Sequence, residues 1–333
     1  MMLKGKLNNI SDVEGVSVGH VTLANGDVQT GVTALLPHQG NVFLNKCVAA
    51  IEVINGFGKS VGGMQINELG QLETPILLTN TLSVGIASDA LVKYMLRQNP
   101  DDGTHAMATV NPVVMECNDG YLNDIRGQHI TAEHVYAALA KTQNTFSQGS
   151  VGAGRGMSAY KLKGGIGSAS RIVTFGEQVF TIGALVLTNM GRLRDFTYLG
   201  KKMADELKKK LFKNAELDEA DKGSIIMILA TDLPMDARQL KRLAKRATVG
   251  LTKTGSHLGH GSGDVCLAFS TANQLKHDVE TIDTIKRFPE NQIDTAFDAA
   301  IDAIEDAIIN SMLHAETVIG RNGHKRQSLK GLL

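Results

Sequence analysis

The chain has 333 residues, 43% of them hydrophobic and 20% charged, with 34 Lys and Arg balancing 34 Asp and Glu. That apolar share builds a substantial core and excludes a disordered chain, and the balanced charge leaves no overall field to draw the molecule onto nucleic acid or an anionic membrane. Three cysteines (Cys47, Cys117 and Cys266) without a CxxC pair argue against a disulfide framework or zinc knuckle. Residues 12–36 read as short strands punctuated by Gly15, Gly19, Gly26 and Gly31. The run from Val48 to Ile54 predicts a buried strand that Asn55-Gly56 ends. Pro75 to Leu78 is a strand candidate, and Ser83 opens a helix through Arg97 with Ile86, Ala90, Leu91, Tyr94 and Met95 at helical spacing. Thr131 opens another, with Val135, Ala138 and Leu139 turned inward.

From Gly149 to Arg171 glycine, serine and lysine dominate, so strands are expected only afterwards, at Ile172 to Phe175 and Val179 to Leu187. Residues 201–222 predict a charged helix that dissolves into an exposed loop. Directly after it, Ile225 to Leu229 reads as a strand buried on both faces. Leu240 to Val249 predicts a basic amphipathic helix, Val265 to Phe269 a strand, and Gln292 to Leu313 a long helix with Ile293, Phe297, Ala300, Ile301, Ile304, Ile308 and Met312 on one side. No repeat or linker divides the chain, so one interwoven α/β domain over residues 1–333 is expected. The opening residues carry no apolar signal core, and no run nears the ~20 apolar residues of a membrane span. A cytoplasmic protein acting on a small, locally recognised substrate is the expectation.

The junction at Gly223–Ser224 concentrates the chemistry, because it puts a hydroxyl at the first position of a core strand. Attack of Ser224 on the Gly223 carbonyl, an N-to-O acyl shift and hydrolysis of the ester would leave Ser224 as a new amino terminus. Its α-amine, with a pKa near ~8, then serves as a built-in general base. A Gly-Ser pair is also an ordinary turn before a strand. The glycines between Gly149 and Ser170 do not fit a phosphate-binding fingerprint, lacking both GxGxxG and GK[ST]. His257 and His260 are the sole close histidine pair and lack a third ligand nearby, so no metal and no cofactor are expected.

The strings GSIIMILATDLPM, GSGDVCLAFSTAN, ECNDGYLND, GAGRGMSAYKLKGGIGSASR and GALVLTNMGR together resemble the L-aminopeptidase/D-amidase-esterase family, which includes the β-peptidyl aminopeptidases. The resemblance runs from about Asp12 to about Arg321. It implies a four-layer α/β/β/α sandwich of the N-terminal-nucleophile-hydrolase type and self-cleavage into 1–223 and 224–333, with processed protomers assembled as a tetramer. It places the nucleophile on Ser224 and the accompanying hydroxyl and acid on Ser262 and Asp264. The oxyanion-facing amide falls on Asn189, an active-site tyrosine on Tyr121, and the acid that binds the substrate's amino group on Glu116. As an alternative for Glu116, the residues allow an ion pair with a nearby arginine such as Arg126. The β-peptidyl branch carries glutamate where this chain has Asp264. The substrate implied is a short peptide or an amino-acid amide or ester. Two further readings stand beside it: an N-acyltransferase of the ornithine acetyltransferase type, whose nucleophile is threonine, and a noncatalytic small-molecule-binding homologue.

Overall fold

The computed structural model describes residues 2–101, 107–211 and 223–333. Its strands are β1 (Ser17–Asn25), β2 (Val28–Leu36), β3 (Asn45–Gly56), β4 (Gln71–Leu72), β5 (Ile76–Asn80), β6 (Val113–Cys117), β7 (Ser158–Ala159), β8 (Leu162–Lys163), β9 (Gly165–Phe175), β10 (Gln178–Asn189), β11 (Thr197–Tyr198), β12 (Lys201–Lys202), β13 (Ser224–Thr231), β14 (Gly263–Lys276), β15 (Val318–Ile319) and β16 (Lys325–Arg326). The helices are α1 (Gly63–Leu69), α2 (Val84–Gln98), α3 (Ala132–Ala140), α4 (Ala204–Leu211), α5 (Ala237–Lys253) and α6 (Ile293–Leu313). One sheet runs β1-β2-β5-β6 and a second runs β4-β3-β14-β13-β10-β9.

Successive side chains of a strand point to opposite faces, and this alternation sorts the core into layers. On β13, Ile225, Met227 and Leu229 pack with Leu243 of α5 and Ile304 of α6, while Ile226, Ile228 and Ala230 pack with Ile76, Leu78 and Met115 of the other sheet. On the far side of that sheet Leu77 and Val114 pack with Leu91 of α2 and Val135 of α3. The order is helices, six-stranded sheet, four-stranded sheet, helices, the α/β/β/α sandwich that the family resemblance implies. Burial on both faces explains why β13 is an unbroken apolar run rather than an alternating one. Each fully buried isoleucine or leucine there stabilises the fold by roughly 1.5–3 kcal/mol over an exposed one.

The chain after residue 223 supplies the two middle strands of the larger sheet, β13 and β14, which lie between β10 and β3. β13 pairs antiparallel with β10 and parallel with β14, the parallel crossover being made by α5. A capping box starts α5: Asp236 accepts the Gln239 N–H at 2.7 Å, and Gln239 Oε1 accepts the Asp236 N–H at 3.3 Å.

Several elements differ from expectation. β9 begins at Gly165, not Ile172, because helix α6 lies so close that a Cβ at Gly167 would sit 1.9 Å from the Ala307 carbonyl oxygen. Small residues that read as a loop are there the condition for strand and helix to touch. β6 and α1 were not anticipated; β6 carries the acid of the ECND string within five buried residues. In the 201–222 stretch the helix is α4, and the exposed loop expected after it lies outside the described residues.

Candidate active site

Register brings three strand ends together. Ser224, the first residue of β13, pairs with Asn189, the last of β10, on one side and with Gly263, the first of β14, on the other. The Ser224 hydroxyl donates to the Gly223 carbonyl oxygen at 2.7 Å. The Gly263 N–H lies 3.2 Å from that same oxygen and 3.3 Å from Ser224 Oγ. Neither glycine can carry a side chain: a Cβ at Gly223 would lie 2.1 Å from the Asn189 carbonyl oxygen, and one at Gly263 would lie 2.5 Å from the Gly58 nitrogen and 3.2 Å from Ser224 Oγ.

On the β14 flank, Ser262 and Asp264 are both buried, and the Ser262 hydroxyl donates to Asp264 Oδ1 at 2.7 Å. Asn55 stands opposite Asp264 in β3, where the register shifts before Val265. Its amide donates to the carbonyls of Gly259 at 2.9 Å and Ser262 at 2.5 Å, tying down the loop that delivers Ser262. Glu116, buried near the end of β6, accepts the Lys59 N–H at 2.7 Å and the Thr81 hydroxyl. A Cβ on Gly58 would lie 3.4 Å from Glu116 Oε1 and 3.7 Å from Gly263 Cα, so this carboxylate borders the same strand end. Among the described residues no ion pair joins Glu116 to Arg126, which removes that alternative.

On the β10 flank, Asn189 is oriented at both ends of its amide. Its Oδ1 accepts the Ser158 N–H at 2.9 Å, and its Nδ2 donates to the Asn118 carbonyl at 2.9 Å. An NH2 carries two donors, so the fixed flip aims the group in a single sense. Tyr121 stands at 40% exposure. Its ring stacks on His324 with centroids 4.5 Å apart, and the Arg326 guanidinium carbon lies 3.6 Å from the ring centroid. The Tyr121 hydroxyl makes no hydrogen bond to another described residue. Arg326 Nε donates to Ser158 Oγ at 3.2 Å, which links Tyr121 through Arg326 and Ser158 to Asn189.

Electrostatics separate the hydroxyl from competing nucleophiles. Burial, with Glu116 and Asp264 nearby, holds the Cys117 thiol well above its ordinary range, and a protonated buried thiol does not attack. Asp119 is fully buried beside Asn118, accepts the Asn123 side-chain amide at 2.9 Å, and is pushed up to about 7 by burial. Among the described residues no group of three or more His, Cys, Asp or Glu side chains is placed to hold a metal ion. His257 faces Asp195 at 3.9 Å and His260 packs edgewise on Phe57.

Sequence reasoning missed Gly58, Asn55, Thr81, Ser158 and Arg326, as well as the Gly263 N–H. Only Asn55 had a local signal, as the residue ending a strand; the others become neighbours of the site through long-range packing.

A strand-head serine at the middle of an α/β/β/α sandwich, with backbone and amide donors on either side, defines a serine hydrolase of the N-terminal-nucleophile (Ntn) type. Comparison with known proteins sharpens this. The chain belongs to peptidase family S58, whose model matches residues 8–326. It is 36% identical to the beta-peptidyl aminopeptidase BapA of Sphingosinicella microcystinivorans, over 98% of this chain and 86% of that protein. The fold superposes on the PH0078 protein of Pyrococcus horikoshii OT3 with a TM-score of 0.93 and 49% identity, covering 100% of this chain and 94% of that one. It also superposes on the L-aminopeptidase D-Ala-esterase/amidase of Ochrobactrum anthropi, described as a new variant among the Ntn hydrolase fold, with a TM-score of 0.91 and 35% identity over 99% and 93% of the two chains. Family, fold and relatives make this chain a hydrolase of the serine aminopeptidase/amidase class. No described helix is long and apolar enough to cross a membrane.

Proposed function

We propose that the chain cuts itself between Gly223 and Ser224, and that the freed Ser224 then releases amino-terminal residues from short peptides, amino-acid amides or esters. The observation that carries this reading is the Ser224 hydroxyl 2.7 Å from the Gly223 carbonyl oxygen, with the Gly263 N–H directed at both. In self-cleavage Oγ adds to the Gly223 carbonyl carbon, and the Gly263 N–H stabilises the charge that develops on its oxygen. The C–N bond breaks, the Ser224 nitrogen takes up the hydroxyl proton, and water hydrolyses the resulting ester. The products are a Gly223 carboxylate and a Ser224 α-amine. Because β13 and β14 are flanked by β3 and β10 from before the cut, the pieces 1–223 and 224–333 stay interleaved in one sheet.

In turnover the α-amine takes the proton from Oγ as that oxygen attacks the substrate carbonyl, and returns it to the departing amine or alcohol. Asn189 Nδ2 and the Gly263 N–H face the developing oxyanion, and Tyr121 borders it. Ser262, hydrogen-bonded to Asp264, steadies the ammonium formed on Ser224. Glu116 binds the substrate's own ammonium, a role for which its buried carboxylate beside Gly58 is suited. The reading includes a homotetramer of processed protomers in the cytoplasm. The exposed apolar residues Val53, Val61 and Met64, gathered around one open hollow, support a protein-covered face.

A panel of L-, D- and β-aminoacyl amides, each paired with its N-acetylated form, tests the proposal on protein whose processing state is known by mass. Hydrolysis restricted to the free-amine member of each pair is expected. Equal hydrolysis of the acetylated partners would remove the aminopeptidase reading.

A further inference from the structure

Arg326 is tied to the β10 side of Ser224, the amine-binding acid to the β14 side, and nothing in the chemistry above uses the guanidinium. It is stacked at 3.6 Å on Tyr121 and anchored through Nε to Ser158, the residue that holds Asn189 opposite Ser224. Glu116, by contrast, borders Gly58 and Gly263 on the β14 side. We infer that Arg326 binds the terminal carboxylate of the substrate's leaving portion, so that short peptides with a free carboxy terminus, dipeptides above all, are preferred to their C-terminal amides. This rests on the aminopeptidase reading of Ser224.

Three observations converge. The first is charge: a dipeptide carries an ammonium at one end and a carboxylate at the other, and the site offers a carboxylate on one flank of the nucleophile and a cation on the other. The second is reach. Two extended residues span at most ~7 Å, so the cation that meets a dipeptide's carboxylate must stand within about a residue of the scissile carbonyl. Arg326 is separated from Asn189 by Ser158 alone. The third is preorganisation. Stacking on the Tyr121 ring and the hydrogen bond to Ser158 restrict the side chain before substrate arrives, and a planar guanidinium fork matches a carboxylate, which a lysine ammonium does not.

The experiment measures kcat/KM of processed enzyme for one dipeptide and for the same dipeptide carboxamide, in wild type, Arg326→Gln and Arg326→Lys. Wild type should favour the free carboxylate by about tenfold or more, Arg326→Gln should bring the ratio close to one, and Arg326→Lys should restore part of it. The preference should also weaken as salt is raised. A residue that only props Ser158 and Tyr121 would lower both rates together and leave the ratio intact, which would overturn the inference. So would a wild-type ratio at or below one. If processed wild type cleaves neither compound nor any aminoacyl amide, the aminopeptidase reading itself fails and takes this inference with it.

Discussion

On the β14 flank of Ser224 the groups in contact are backbone and short side chains: Gly58 against Gly263, Ser262 bonded to Asp264, Asn55 clamping the loop between. On the β10 flank Asn189 is joined through Ser158 to Arg326, whose guanidinium lies over the ring of Tyr121, a residue 40% exposed. The first flank fixes the geometry of bond making and leaves no room for an added methyl. The second runs from the Asn189 amide beside Ser224 out to the partly exposed Tyr121, and substitution at its outer end can retune preference without rebuilding the sheet.

That contrast sets the order of expected effects. Gly263→Ala should be the most damaging, since its methyl would press on Gly58 and on the nucleophile. Self-cleavage should stall, and kcat should fall by roughly 10²–10³-fold or more; intact mass and steady-state rates measure both, and a processed, fully active variant would remove the difference between the flanks. Asn189→Ala should lower kcat by about 10²-fold, near 3 kcal/mol, with the fold intact by circular dichroism. An unchanged kcat would take Asn189 out of the oxyanion site. Glu116→Gln should act on binding, raising KM for free-amine substrates by roughly tenfold while narrowing the gap to their acetylated forms. A fall in kcat with KM unchanged would instead make Glu116 part of the chemistry.

The smallest effect expected is on stability. The Asp119 carboxyl has a folded pKa of about 7 against an ordinary 3.8, so between those values the folded chain keeps a proton that the unfolded chain releases. Its contribution to stability is therefore lost as pH rises from about 4 to about 7. Urea unfolding at pH 5 and pH 8 should show a larger loss for wild type than for Asp119→Asn. Equal losses would mean that the folded chain holds no extra proton on Asp119 across that range, contrary to the raised value.

How much of this could be read in advance follows from distance along the chain. The polar-to-apolar junction at Ser224 and the run into β13 are local patterns, so a hydroxyl at the head of a core strand was legible; the roles proposed for Ser224, Ser262 and Asp264 came from the family resemblance of the strings that carry them. The two-faced burial of β13 was legible too, as an unbroken apolar run. Contacts that depend on folding were not. Arg326 meets Ser158 across 168 residues and Asn55 meets Ser262 across 207, and no residue type in either segment announces its partner. β9 was misread because its strand character is hidden by the small residues that helix α6 demands.

The central claim is tested most directly by intact mass after prolonged incubation, with aminoacyl-amide hydrolysis followed in parallel, for wild type and Ser224→Ala. Wild type should resolve into 1–223 and 224–333 and be active, while the variant should stay a single 35.6 kDa chain without turnover. An alanine variant that matches the wild-type rate, or an active wild type that never splits, would contradict it.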